Sequence, residues 1–151
     1  MKTKTDLWVH AIWATHDRRP AITPEVGQLV KRILFAKCRE LHCSIEALGG
    51  TADHVHLVAG LHPALAPARL VGELKGASAH AVNHRLPTRD SFQWQRGYAA
   101  FTVSRRELPA LVSYVREQAL RHGSKTTERD LELPPDELTG PFEPTRPIAQ
   151  A

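Results

Sequence analysis

A chain of 151 residues with 42% hydrophobic side chains has the size of one domain with its own core. No apolar run approaches the roughly 18 residues that span a bilayer, so no membrane partner is expected. Residues 1–123 carry 17 Lys and Arg against 10 Asp and Glu, whereas residues 124–151 carry 3 against 6, and this basic body favours a polyanionic partner.

The opening MKTKTDLWVHAIWATH has no long apolar centre or small-residue cleavage site. A signal peptide is therefore not expected, and a cytoplasmic location is. Residues 6–15, DLWVHAIWAT, are apolar on both alternating sets and predict a central strand covered on both faces. After the turn DRRPAIT, TPEVGQLVKRILFAKCRELH predicts a helix. Thr23 is its N-cap, Pro24 its first residue, and Val26, Leu29, Val30, Ile33, Leu34 and Leu41 form its apolar stripe. Cys38 and Cys43, the only cysteines, are too few for a disulfide framework or a cysteine zinc site and are expected as free, half-buried thiols.

SIEALGG then predicts a second strand, turning through Thr51 to Asp53 into a third over residues 54–61. PARLVGELKGASAHAVNHRL predicts a second helix with Leu70, Leu74, Ala77 and Ala81 on one stripe. QWQRGYAAFTVS predicts a fourth strand. In SRRELPALVSYVREQALRHG, Ser104 and Glu107 fit a capping box and Gly123 suits the helix end, although Pro109 puts the start of the regular helix in question. Its buried stripe reads Leu108, Leu111, Val112, Val115 and Ala119. From Ser124 onward, five prolines and little periodicity predict a poorly structured tail, so residues 1–123 form the domain. The first six elements follow the ferredoxin-like split β-α-β order of an α+β fold. Its antiparallel four-stranded sheet puts the first and third strands at the centre, and a C-terminal tyrosine-bearing helix is added.

The third strand raises the chemical question. In TADHVHLVAG, His54 and His56 share one face while Val55 and Leu57 share the other. Two imidazoles at this spacing can aim nitrogens at one point, and neutral imidazole is a common metal ligand. Hydrogen-bonded strand histidines give the same pattern. Mid-sheet, the pair would lie beside His10 and Trp8. Tyr114 and Gln118, four apart on the flank of the last helix, would sit half-exposed at the core edge, positions also usual for packing and solvated side chains. Asp53 fits either setting the turn or orienting a histidine. Lys75, Arg85, Arg96, Arg105 and Arg106 are candidate phosphate contacts, and Trp94 and Tyr98 suit packing better than base stacking.

The blocks DHVHLV, LKGASAHAVN, WQRGYAAFTVS and YVREQ, with the opening HAIWATHDRRP, closely resemble the HUH single-tyrosine transposases of bacterial insertion sequences, which include REP-associated tyrosine transposases. The resemblance runs from about residue 6 to residue 123. It implies a ferredoxin-like core, His54 and His56 as metal pair, Gln118 as third ligand of Mg2+ or Mn2+, and Tyr114 as nucleophile. It further implies cutting and rejoining of single-stranded DNA with hairpin ends through a 5′-phosphotyrosine, by a homodimer. Relatives carry a longer, structured segment after the tyrosine helix, unlike the tail here. Their tyrosine helix comes from the other subunit or from the same chain, and the sequence leaves both open. Against a replication-initiator or relaxase nuclease sharing the same core stand the small size and the lack of a helicase or primase segment in the sequence. A domesticated, non-catalytic module retaining hairpin recognition fits the basic body equally well. A zinc hydrolase lacks a carboxylate partner.

Overall fold

The first strand is apolar on both faces, and both faces are covered. β1 (Trp8–Ala14) is buried from Val9 onward in a computed structural model that describes residues 1–87 and 89–118. β2 (Ser44–Gly50), β3 (His54–Gly60) and β4 (Ala99–Val103) complete a four-stranded antiparallel sheet in the order β2-β3-β1-β4. With α1 (Pro24–Glu40), α2 (Pro67–Arg85) and the added α3 (Leu108–Gln118), this is the expected α+β order with β1 and β3 central. Ala119, the helix end at Gly123 and the tail 124–151 lie outside the described residues. Among the described residues no helix is long and apolar enough to cross a membrane.

Strand alternation divides the core in two. Val9, Ala11 and Trp13 of β1 and Val55, Leu57 and Ala59 of β3 face α1 and α2, which pack against each other on that side. Each fully buried leucine there, Leu57, Leu70 and Leu74 among them, contributes about 1.5–3 kcal/mol over its exposed state. α3 lies on the opposite face, where Leu111 and Val115 meet Ala47, Val58 and Val103. Local signals act where the sequence puts them. The Thr23 hydroxyl accepts the Val26 N–H at 3.3 Å to start α1, and Ser104 and Glu107 form a reciprocal capping box before α3. Pro109 then falls in the first helical turn, where a missing N–H breaks no bond.

Three expectations need correction. The fourth strand is shorter than residues 93–104. Its first half pairs with β1 only through the Thr15–Trp94 bridge, because Lys75 draws the carbonyls of Gln95 and Gly97 inward at 2.6 and 2.9 Å and Gly97, at φ 83°, turns the chain. On α2, Ser78 replaces Ala77 as the fully buried residue. Its hydroxyl bonds the Leu74 carbonyl and accepts the Trp94 indole N–H, so burial leaves no polar atom unsatisfied. Cys38 and Cys43 are free as expected but buried, not half-buried; burial pushes the Cys38 thiol up to about 12.

α3 rests mainly on β2, and Gly49 permits it: a Cβ at this position would overlap the Val115 carbonyl. Gly49→Ala should therefore lower stability in urea by about 1–3 kcal/mol through overpacking. Gly76→Ala on α2, where a Cβ meets nothing within 4 Å, should instead stabilise by about 0.5–1 kcal/mol. Equal effects of the two substitutions would refute the role given to Gly49.

Candidate active site

The site is built on the α3 face of the sheet. β3 presents His54 and His56 there, as alternation requires, and β1 pairs Ile12 with His56 and His10 with Val58, which sets His10 diagonally beside His56. The two rings stack at 5.2 Å, with His10 Nε2 and His56 Nδ1 3.0 Å apart. On the other side of His56, β2 contributes Gly49, and the space left by its missing side chain is taken by α3. That brings the Tyr114 ring edge-on to His56 at 6.2 Å. One turn on, the Gln118 amide donates an N–H to the Tyr114 hydroxyl at 2.9 Å.

His54 is held from the β2–β3 turn. Its Nδ1 lies 2.7 Å from Asp53 Oδ1 and 2.9 Å from the Thr51 hydroxyl. Thr51 also donates to Asp53 at 2.8 Å, and the Arg18 Nε–H reaches the other carboxylate oxygen at 3.2 Å. Asp53 thus has both roles that the sequence left open. Burial pushes its carboxyl up, but hydrogen bonds from His54 and Thr51 and the Arg18 charge outweigh that and hold it below the ordinary range.

Burial lowers His10 to about 4. Burial, with unfavourable charge from His54, His10 and Arg18, lowers His56 to about 3. Both rings are neutral at physiological pH. His56 Nε2 is buried with no hydrogen-bond partner among the described residues, as expected of a nitrogen whose lone pair serves something bound. No group of three His, Cys, Asp or Glu able to hold a metal occurs among the described residues. A cation at the pair therefore needs an amide or a ligand oxygen as well, and the donor set of His54, His56 and the Gln118 amide oxygen fits that requirement.

The four predicted side chains thus sit on one face, Tyr114 and Gln118 half-exposed at the core edge as anticipated. The candidate phosphate contacts do not behave as a group. Lys75 directs two of its three donors at carbonyls, and Arg105 pairs with Asp6. Arg85, Arg96 and Arg106 are exposed on three separate segments. Trp94 packs edge-on against Trp13 and Phe92. A cavity of about 320 Å³ between α1 and the β2–β3 turn has His54, Thr51, Gln28 and Lys31 in its wall. A larger one of about 710 Å³ lies between the β1–α1 turn and the α2–β4 loop and includes none of the four site residues. The sequence reading gave no role to His10 or Arg18. Each reaches the site through tertiary contact; for His10 the signals were a histidine inside an otherwise apolar strand and the predicted strand order, which sets it beside the pair.

A family model described as "Transposase IS200 like" matches residues 3–118. Among solved structures, the chain is similar to a Deinococcus radiodurans protein provisionally assigned as a transposase. That match has 29% identity and a TM-score of 0.61, and covers 78% of this chain and 98% of the other. It is also similar to a REP-associated tyrosine transposase bound to a REP hairpin, with 17% identity, a TM-score of 0.60, and 82% and 72% of the two chains covered. At 17% identity this second likeness concerns the fold alone. No curated protein matches the chain.

The neutral burial of His10 and His56 has a measurable consequence. Unfolded, each ring titrates near 6.5, whereas folded they wait until about 4 and about 3. As pH falls below 6.5 the unfolded state binds protons that the folded state refuses, so stability falls; the depressed Asp53 adds a loss in the same direction at more acid pH. Urea unfolding with chelator present should lose up to about 1.4 kcal/mol per pH unit for each ring below about pH 6. The slope should be shallower in His10→Ala. A profile flat from pH 7.5 to pH 5 would contradict neutral burial.

Proposed function

Because the chain belongs to the IS200-like transposase family, we propose that it is a metal-dependent enzyme that cuts and rejoins single-stranded DNA at hairpin-bearing ends, with Tyr114 as nucleophile. The observation that carries this reading is the meeting of α3 and β3, where the Tyr114 ring stands edge-on to His56 and its hydroxyl receives the Gln118 amide. The hairpin takes its support from the fold shared with a protein captured on one.

On this reading His54, His56 and Gln118 hold a divalent ion, magnesium or manganese. When bound, the ion neutralises a non-bridging phosphate oxygen and orients the phosphate. All three ligands are uncharged, so the ion's full charge acts on the DNA. The Tyr114 oxygen attacks phosphorus, the phosphorus–O3′ bond breaks, and the phenol proton passes through solvent to the departing 3′-oxygen. The products are a 5′-phosphotyrosine and a free 3′-hydroxyl. Attack by a 3′-hydroxyl on that ester reverses the steps and releases the phenol, so joining requires no nucleotide cofactor. The Gln118 N–H on the Tyr114 oxygen supports charge developing there and limits the ring's rotation. The packing of α3 on the sheet supports action in cis, and we propose that Tyr114 acts on the site of its own chain.

The test is incubation with single-stranded oligonucleotides carrying hairpin-forming repeats, with magnesium or manganese. A covalent protein–DNA adduct is expected, lost in Tyr114→Phe; an adduct that survives that substitution would overturn the nucleophile. No adduct from the wild type, with hairpin affinity equal in both proteins, would point to the non-catalytic binding module instead. Calorimetry should find manganese binding weak alone, strengthened by the oligonucleotide in Tyr114→Phe, and weakened at least about ten-fold by His56→Ala. Tight binding undiminished by His54→Ala and His56→Ala would remove the histidines from the metal site.

A further inference from the structure

His56 is gripped at Nδ1, and its partner there is another histidine. His10 Nε2 and His56 Nδ1 are 3.0 Å apart and both side chains are buried, so with both rings neutral one nitrogen donates and the other accepts. Two arrangements are possible. If the proton belongs to His10, then neutral His56 carries its own on Nε2, an atom that is buried without an acceptor among the described residues. A buried donor or acceptor left unpaired costs about 1–3 kcal/mol, and of the two forms only the bare nitrogen can be satisfied by a bound cation. If the proton belongs to His56 Nδ1, it is donated to His10, and His56 Nε2 holds a lone pair, the form required to ligate a cation.

His54 offers an internal comparison. Its Nδ1 faces the Asp53 carboxylate at 2.7 Å, which at neutral pH only accepts, so the His54 proton also sits on Nδ1. Two neighbouring strand histidines are therefore fixed in the same tautomer by unlike partners, a carboxylate at the exposed end and an imidazole in the interior. A carboxylate at position 10, with 2% of the residue exposed, would bury a net charge; a neutral acceptor avoids that cost.

We infer that His10 is a positioning residue: by accepting the His56 Nδ1 proton it holds the His56 ring in place and turns the Nε2 lone pair toward the metal, as Asp53 does for His54. The inference rests on the proposed metal site and extends it to a residue on β1 outside the proposed ligand set. Partners of this kind typically contribute about ten-fold to a hundred-fold in metal affinity.

The decisive measurement is long-range nitrogen–proton NMR of the histidine rings in the metal-free protein. It should show the wild-type His56 protonated on Nδ1 and bare on Nε2. In His10→Leu, which removes the acceptor, the Nε2–H form of His56 should appear, and affinity for manganese alone should fall about ten-fold. In His10→Gln, whose amide oxygen can occupy the place of the lost ring nitrogen, the Nδ1–H form and most of the affinity should return. A wild-type His56 protonated on Nε2 overturns the inference without reference to any variant, as does a His10→Leu protein with unchanged tautomer. A shifted tautomer with manganese affinity unchanged in both His10→Leu and His56→Ala overturns the metal site and leaves the hydrogen-bond lock standing.

Discussion

The contact on which the candidate site depends is the backbone approach of α3 to β2 at Gly49. Any Cβ there would overlap the Val115 carbonyl, so a larger residue would hold the helix off the sheet. Gly49 is also the register partner of His56. One missing side chain therefore admits Val115 to the core and brings the adjacent Tyr114 beside the imidazole. Leu111, one turn earlier, is the second buried anchor of α3. The helix is thus located by apolar packing on the side away from its chemistry, and the tyrosine follows from that placement.

Three histidines in a sheet face form a costly arrangement unless their charge is suppressed. Here the interior members, His10 and His56, stay neutral because burial makes the charged form unfavourable. The formal charges of the cluster lie at the end of the sheet, Asp53 in the β2–β3 turn and Arg18 in the β1–α1 turn, where each side chain keeps roughly a quarter of its surface exposed. Asp53 connects the two regions. It sets the turn through Thr51 and holds His54, and its main-chain carbonyl accepts the Thr15 N–H at the end of β1. Folding of the β2–β3 turn and orientation of the first histidine are consequently one event.

What the sequence made legible follows from interactions of short range. Alternation in β3 is enough to put His54 and His56 on one face with Val55 and Leu57 on the other, and four-residue spacing is enough to pair Tyr114 with Gln118. The Thr23 cap and the Ser104–Glu107 box are equally local. What stayed hidden depends on register between distant strands or on packing. The His10–His56 bond joins residues 46 apart, and only the β1–β3 register brings them together. The fourth strand read too long because QWQRGY carries strand-like side chains, while its backbone is captured by Lys75, a residue some 20 positions earlier. Ala77 stands in the predicted stripe where Ser78 is buried, because the two hydrogen-bond partners that permit a buried hydroxyl, Leu74 and Trp94, are supplied by the fold.

The charge pattern also changes meaning once the structure is known. The excess of basic residues in the body suggested a surface offered to a polyanion, yet Lys75, Arg18 and Arg105 are engaged by carbonyls, Asp53 and Asp6 respectively. Cations already paired within the protein contribute less to releasing counterions from DNA than exposed ones do. Arg85, Arg96 and Arg106 remain exposed, and none belongs to the histidine cluster. On the proposed reading the two tasks are therefore divided. Scattered surface arginines attract the strand, while the position of the scissile phosphate is bordered by neutral imidazoles and an amide. A permanently charged lysine or arginine in that position would attract phosphate at all times, whereas neutral ligands leave the charge to a bound ion, so that affinity for the ion and affinity for the phosphate rise together.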